Sequence, residues 1–264
     1  MEIAVGDLKQ FDTFPPAVKG VNVIIHLGAQ LPSAPEEEMK TVNIYGTREL
    51  VLAAKKANIR RFLHFSSAEC SDNLVYSIFR DTKKASEKPV RGNNWNGPSS
   101  ARPPCTVQPT ERFLGPILRK IGAGESFDVP GDGQVKMGPV HAQDAAVAVV
   151  NTLAYGMAVD AVYHLCGPGI AYDDMLHAAG AVAGKPPKIS HSSLGFKERW
   201  LTIQDFLTKD PQKKLAIATR RNDLRYFLKD HLYPCDDAKA QVGFLPREFA
   251  TGVKEACATR WWGG

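Results

Sequence analysis

The stretch Arg60–Lys88 constrains this chain more than any other. It opens on Phe62-Leu63-His64-Phe65, a short and mostly apolar run with two aromatics, too short for a helix and suited to a buried parallel strand. The run stops at Ser66-Ser67, and a helical segment follows, for which Thr82 serves as the expected N-cap. Hydroxyls at a strand end, with a lysine one helix away, mark the place to look for chemistry, because ligands of doubly wound sheets sit at the carboxyl ends of the strands.

The rest of the chain repeats the alternation. Val21–Leu27 is a dense β-branched run and reads as a strand ending at Gly28-Ala29, small residues that let a ligand approach the backbone. Glu2–Val5 reads as a short strand ending in a turn at Gly6-Asp7, and Glu36–Ala57 as one long helix. Pro89–Pro98 is polar and reads as a loop, and Phe127–Gly133 as a turn region. Further on come helices over Phe113–Ile121, Ala142–Leu153 and Tyr172–Ala183, a strand over Ala161–Leu165, and helices near Glu198–Leu207 and Gln212–Leu228. Strands alternating with helices imply an α/β fold, a doubly wound parallel sheet of Rossmann-like type that is incomplete at its N-terminus. Residues 1–169 are assigned to that domain and 170–264 to a small C-terminal helical lobe.

Charge and cysteines narrow the class. The net charge is +5, with basic residues scattered rather than in a stripe, which argues against a nucleic-acid surface. The five cysteines lie far apart with no CxxC pair, so neither zinc nor a disulfide framework is expected and a reducing, cytoplasmic setting is the default. No apolar run is long enough to span a bilayer.

Several short motifs now stand in a recognisable order: Gly6-Asp7-Leu8, VNVIIHLGA, Asn43-Ile-Tyr-Gly46-Thr47, FSSAE, Thr82-Lys83-x-x-x-Glu87, Arg102-Pro103-Pro104, Gly131-Asp132-Gly133, Val140-His141-x-x-Asp144 and Asp237-Ala-Lys239. In that order the chain resembles the extended short-chain dehydrogenase/reductases, the group of NAD-dependent epimerases/dehydratases and 3β-hydroxysteroid dehydrogenases. The resemblance implies NAD or NADP as cofactor and a small-molecule substrate with a CH–OH group, a sugar nucleotide or a sterol-like compound. It places Asp7 and Leu8 beside the adenine, Gly28 and Ala29 against the cofactor, and Ser67 and Lys83 in the catalytic site.

Two departures accompany it. The family opens with a strand, a GxxGxxG turn and a helix, whereas Met1-Glu2-Ile3 matches its third strand, so an N-terminally truncated chain that lacks the phosphate-cradling loop is the expectation. The family's YxxxK stands here as Phe79-Arg-Asp-Thr-Lys83, and phenylalanine has no proton to exchange. Tyr76 with Arg80 is the alternative pair, at a spacing from Ser67 shorter than the family's. The expectation is a nicotinamide-dependent enzyme with weak cofactor binding and impaired turnover, or, as the other reading, a non-catalytic binding or scaffold protein on the same fold. A sheet edge left open by missing strands points to a homo-oligomer. Plain structural readings stand beside the functional ones: Ser67 as a turn cap, Asp7 as a turn residue, Arg102 in an ion pair, and His141 with Asp144 at a helix start.

Overall fold

The structure, a computed structural model, describes residues 2–32, 34–72, 77–93, 95–96, 99–103, 106–107, 114–154 and 159–258. Its strands are β1 (Val23–His26), β2 (Arg61–Phe65), β3 (Ser100–Arg102), β4 (Thr106–Val107), β5 (Ser126–Pro130), β6 (Lys136–Met137), β7 (Val140–His141), β8 (Val162–His164), β9 (Ile170–Ala171) and β10 (Lys188–Ser192). Its helices are α1 (Phe14–Val18), α2 (Glu36–Met39), α3 (Thr47–Lys56), α4 (Ile78–Val90), α5 (Leu114–Ala123), α6 (Ala142–Ala154), α7 (Tyr172–Ala183), α8 (Leu194–Leu207), α9 (Pro211–Arg225), α10 (Asp236–Val242) and α11 (Phe249–Ala258). The chain folds into two compact units interleaved in sequence. The first takes Met1–Pro103, Ala146–Leu165 and Cys235–Phe244, and the second Pro104–Ala145, Cys166–Pro234 and Leu245–Gly264.

The first unit holds the expected parallel sheet, in the order β1-β2-β3-β8. A buried parallel strand needs apolar residues on both faces, and Phe62 and Leu63 supply them in β2. On one side Phe62 stacks on Trp95 at 5.5 Å, within a core of Phe14, Val18, Val51, Ala54, Ile59 and Val90. The helical run after β1 is continuous from α2 to α3, but its middle, Lys40–Gly46, is wound as a π-helix. Strand β1 lies at one end of the sheet order.

Local structure departs from the sequence reading in four places. Residues Glu2–Val5 form no strand and lie exposed, and among the described residues no strand pairs with them. Helix α4 starts at Ile78, not after Thr82: Ser77 is the N-cap, its hydroxyl accepting from the Arg80 amide at 2.9 Å. Thr82 is interior, its hydroxyl donating to the Phe79 carbonyl at 2.9 Å. The same helix runs on through Pro89 to Val90, into the expected loop. The expected turn region at Phe127–Gly133 takes in most of β5, which pairs in parallel with β10.

The second unit has its own core, including Leu114, Ile117, Phe127, Met175, Leu176 and Val253. Helix α7 ends as its sequence predicts, on Gly184 in the left-handed region at φ +67°. At the start of α6, His141 Nδ1 accepts from the Gln143 amide at 3.3 Å, and Asp144 is held by Arg247 through Nε at 2.9 Å.

Candidate functional site

Strands β1 and β2 run parallel in the register Val23↔Arg61 to His26↔His64. The residues that follow, Leu27-Gly28-Ala29 and Phe65-Ser66-Ser67, therefore leave the sheet at the same carboxyl end. Lys83 reaches that end from α4 and donates its Nζ hydrogen bond to the Phe65 carbonyl at 2.7 Å. Gly28, Ala29, Ser67 and Lys83 thus share the end of the sheet where doubly wound folds place ligands.

Each residue has a local structural reason. Gly28 is small because of Leu8: a Cβ there would stand 2.7 Å from Leu8 Cδ1. Gly46, in the π-helical turn, is held by the same residue, since its Cβ would lie 2.6 Å from the Leu8 carbonyl oxygen. Leu8 is the wedge between the β1 exit and that turn. Gly28 itself is exposed and Ala29 half-buried. Asp7 is a turn residue, with Oδ1 accepting from the Lys9 amide at 2.9 Å and its carbonyl accepting from Gln10 at 2.8 Å.

Ser67 is buried and caps a single 3-10 turn, Ala68–Ser71, by accepting from the Glu69 amide at 3.3 Å. That bond leaves the hydroxyl proton free to donate. Phe79 is half-buried, one helical turn before Lys83. Tyr76 lies outside the described residues.

Beneath the strand ends is a buried basic cluster that the sequence reading did not single out. His26 and His64, opposite each other in register, stack at 5.2 Å between ring centroids. His26 Nε2 bonds to Thr47 Oγ1 at 2.9 Å, and His64 Nε2 to Ser86 Oγ at 2.8 Å. Ser86 spends its own proton on the Lys83 carbonyl at 2.7 Å, so His64 must carry its proton on Nε2. The orphaned Nδ1 of His64 is then a bare acceptor.

Burial makes charge costly here. Burial, then the Lys83 ammonium, pushes His26 down to about 3, and the same causes hold His64 well below the ordinary range. Burial also brings Lys83 down to about 8, against the opposing pull of Cys70 and Glu87. Lys83 is therefore the cation of the cluster at neutral pH, and the histidines are neutral. Burial pushes the Cys70 thiol up, so it is a poor nucleophile.

Two polar clamps hold these parts together. Asn43, in the π-helical turn, accepts from the Gln30 amide at 2.7 Å and donates to the Gln30 carbonyl and to Thr82 Oγ1, both at 3.0 Å. It ties the β1 exit loop to α4 at Thr82, three residues after Phe79 and one before Lys83. Glu87 and Arg102 form a buried two-point ion pair, with Nε to Oε1 at 2.7 Å and Nη2 to Oε2 closer still. Arg102 Nη1 also reaches Ser71 Oγ at 2.9 Å, so this arginine is a structural brace. The matched residue types were visible in sequence, but their partners lie 13, 15, 31 and 39 positions away, beyond any periodicity.

Chemically, the strand end offers a buried ammonium with N–H groups to spare, a serine hydroxyl and exposed backbone at Gly28. Such a set can donate hydrogen bonds to vicinal hydroxyls. Phe79 offers nothing that exchanges a proton. Among the described residues no group of three His, Cys, Asp or Glu is placed to hold a metal ion.

Comparison with known proteins agrees with this geometry. Residues 1–98 match the 3-beta hydroxysteroid dehydrogenase/isomerase family. Human sterol-4-alpha-carboxylate 3-dehydrogenase, decarboxylating, is 29% identical over 105 residues, which cover 34% of this chain and 28% of that protein. The match thus spans little more than a quarter of the curated relative's length. Among solved structures, gox2253 superposes with a TM-score of 0.81 at 24% identity, covering 100% of this chain and 85% of that one. The double mutant of DesIV, a dTDP-glucose 4,6-dehydratase from Streptomyces venezuelae, was solved with NAD and DAU bound. It superposes with a TM-score of 0.70 at 17% identity, covering 97% of this chain and 80% of that one. Residues 1–98 are thus similar to that dehydrogenase/isomerase family, and the chain shares the Rossmann-like α/β fold of these solved structures.

Proposed function

We propose that this chain binds a nicotinamide dinucleotide, NAD or NADP, and a small CH–OH substrate at the carboxyl ends of β1 and β2, and that its redox turnover is impaired. The substrate is of the kind the comparisons offer, a sugar nucleotide or a sterol-like alcohol. The observation that carries the reading is Lys83. A lysine is brought into an almost fully buried position at the strand end, where burial lowers it to about 8 despite the opposing pull of Cys70 and Glu87, and such an arrangement is expensive unless it serves binding. The fit of a dinucleotide is supported by the donors left on Lys83, by the exposed Gly28 backbone and by the half-buried Ala29 beside it.

When bound, the dinucleotide would supply the hydride acceptor. Lys83 would hold ribose hydroxyls, Ser67 would donate to the substrate oxygen, and Phe79 would shield the site without moving a proton. General acid/base assistance is worth roughly 10²–10⁴-fold in rate, which is the deficit expected of a phenylalanine in the family's tyrosine position. The second reading, a non-catalytic binding protein on this fold, is favoured by the same Phe79.

The test is a titration of NADH and NADPH into the purified chain, followed by fluorescence, with turnover measured for wild type and Phe79→Tyr. Saturable binding that Lys83→Met weakens supports the site. Slow wild-type turnover that rises with Phe79→Tyr supports the enzyme reading, and binding with no turnover in either favours the scaffold. Unimpaired dehydrogenase turnover by the wild-type chain would refute the assigned deficit.

A further inference from the structure

Helix α8 is apolar on the wrong side. Phe196, Trp200, Ile203 and Leu207 fall at i, i+4, i+7 and i+11, within about 60° of arc at 3.6 residues per turn. By periodicity alone this stripe should face the core. Instead Phe196 is 69% exposed, Trp200 53%, Ile203 44% and Leu207 73%. The side that packs inward is roughly 130° round the helix, at Leu201, which is 6% exposed. Phe206, beside the stripe, is more exposed still. Orientation is fixed by specific bonds: the Ser193 hydroxyl caps the helix on the Phe196 amide, and Lys197 Nζ meets the Asp128 carboxylate at 2.7 Å. Helix α9 packs against α8 and buries Ile217.

The helix pair carries a net positive charge. Between Leu194 and Arg225 there are eight Lys/Arg and four Asp/Glu, an excess of four in a chain whose total is +5. Arg199, Lys213, Lys214 and Arg220 are exposed. Among the described residues no helix is long and apolar enough to cross a membrane, and α8 has 14 residues. A short helix with bulky apolar side chains outward, in a helix pair of net positive charge, suits the headgroup boundary of a bilayer. Rings and aliphatic chains enter the acyl edge there, while Lys and Arg meet lipid phosphates. A protein partner would not require this excess of positive charge.

We propose that α8 and α9 form a peripheral docking element for an anionic membrane surface, with the Phe196–Leu207 stripe inserted at the interface. The proposal stands apart from the cofactor reading and uses none of its residues.

The test is co-sedimentation of the full chain with phosphatidylcholine vesicles, with and without phosphatidylserine. Binding to the phosphatidylserine vesicles, at least about tenfold stronger than to neutral ones and released by high salt, is expected. Phe196→Ser/Trp200→Ser, which removes only exposed side chains, should cut that binding by about tenfold or more with an unchanged melting midpoint. Lys213→Glu/Lys214→Glu should weaken binding to the anionic vesicles alone, which keeps the test sound if the first variant melts early. Absence of vesicle binding, or binding that neither variant changes, would overturn the proposal. So would a concentration-dependent dimer that the serine variant abolishes without any vesicle binding, because the stripe would then be a self-association face.

Discussion

Acid should destabilise this protein earlier than its carboxylates would, through His26. The ring is 4% exposed, stacked on His64 and held at about 3 rather than 6.5. For a base whose folded value is depressed, the unfolded chain binds more protons between the two values. Stability is therefore level above pH 6.5 and falls as pH drops toward 3. At pH 5 the unfolded ring is almost wholly charged and the folded ring neutral, a loss of about 2 kcal/mol from His26 alone at 1.36 kcal/mol per unit. His64 shifts in the same direction and steepens the fall. The assay is urea unfolding at pH 7, 6 and 5 for wild type and His26→Gln, in which the amide keeps a partner for Thr47 but does not titrate. Most carboxylates stay ionised in this window and are common to both proteins. The wild type should lose about 2 kcal/mol more than the variant between pH 7 and 5. Parallel pH dependences would refute the argument, because they would mean that His26 is hydrated or charged in the folded state.

Three further outcomes follow from the same packing. Lys83→Met should raise stability at pH 7 by about 1–2 kcal/mol, the relief of a buried charge of ~3 kcal/mol less one lost hydrogen bond. That gain should shrink from pH 8 toward 10.5, where the wild-type lysine releases its proton; a loss at pH 7 in urea unfolding would contradict it. Glu87→Gln leaves the Arg102 guanidinium half-paired and should cost about 2–3 kcal/mol in the same assay. Gly46→Ala meets the rigid Leu8 backbone at 2.6 Å, whereas Gly28→Ala meets a flexible Leu8 methyl at 2.7 Å. Gly46→Ala should therefore lower the melting midpoint more, by an amount equivalent to about 1–3 kcal/mol.

The sequence by itself determined the parallel α/β architecture. Val21–Leu27 and Phe62–Phe65 are apolar on both faces, and only a sheet covered on two sides can bury such strands. It also determined α7, whose period and closing Gly184 are local, and the small residues at the strand ends. Each of these signals is carried within a few consecutive residues.

Tertiary structure decided the rest. Arg102 serves as a brace and Asp7 shapes a turn, through partners that the residue types alone do not name. Thr82 has the chemistry of an N-cap, but Ser77 takes that place and Asn43, 39 positions away, claims the threonine hydroxyl. Strand β5 was hidden because its pairing partner, β10, lies more than 60 residues downstream. The histidine pair could not be read from two strands 38 residues apart, since only the β1–β2 register stacks one ring on the other under Lys83. The face that α8 turns outward was invisible for the same reason: period names a stripe, while packing against α9 and Asp128 chooses which side meets the solvent.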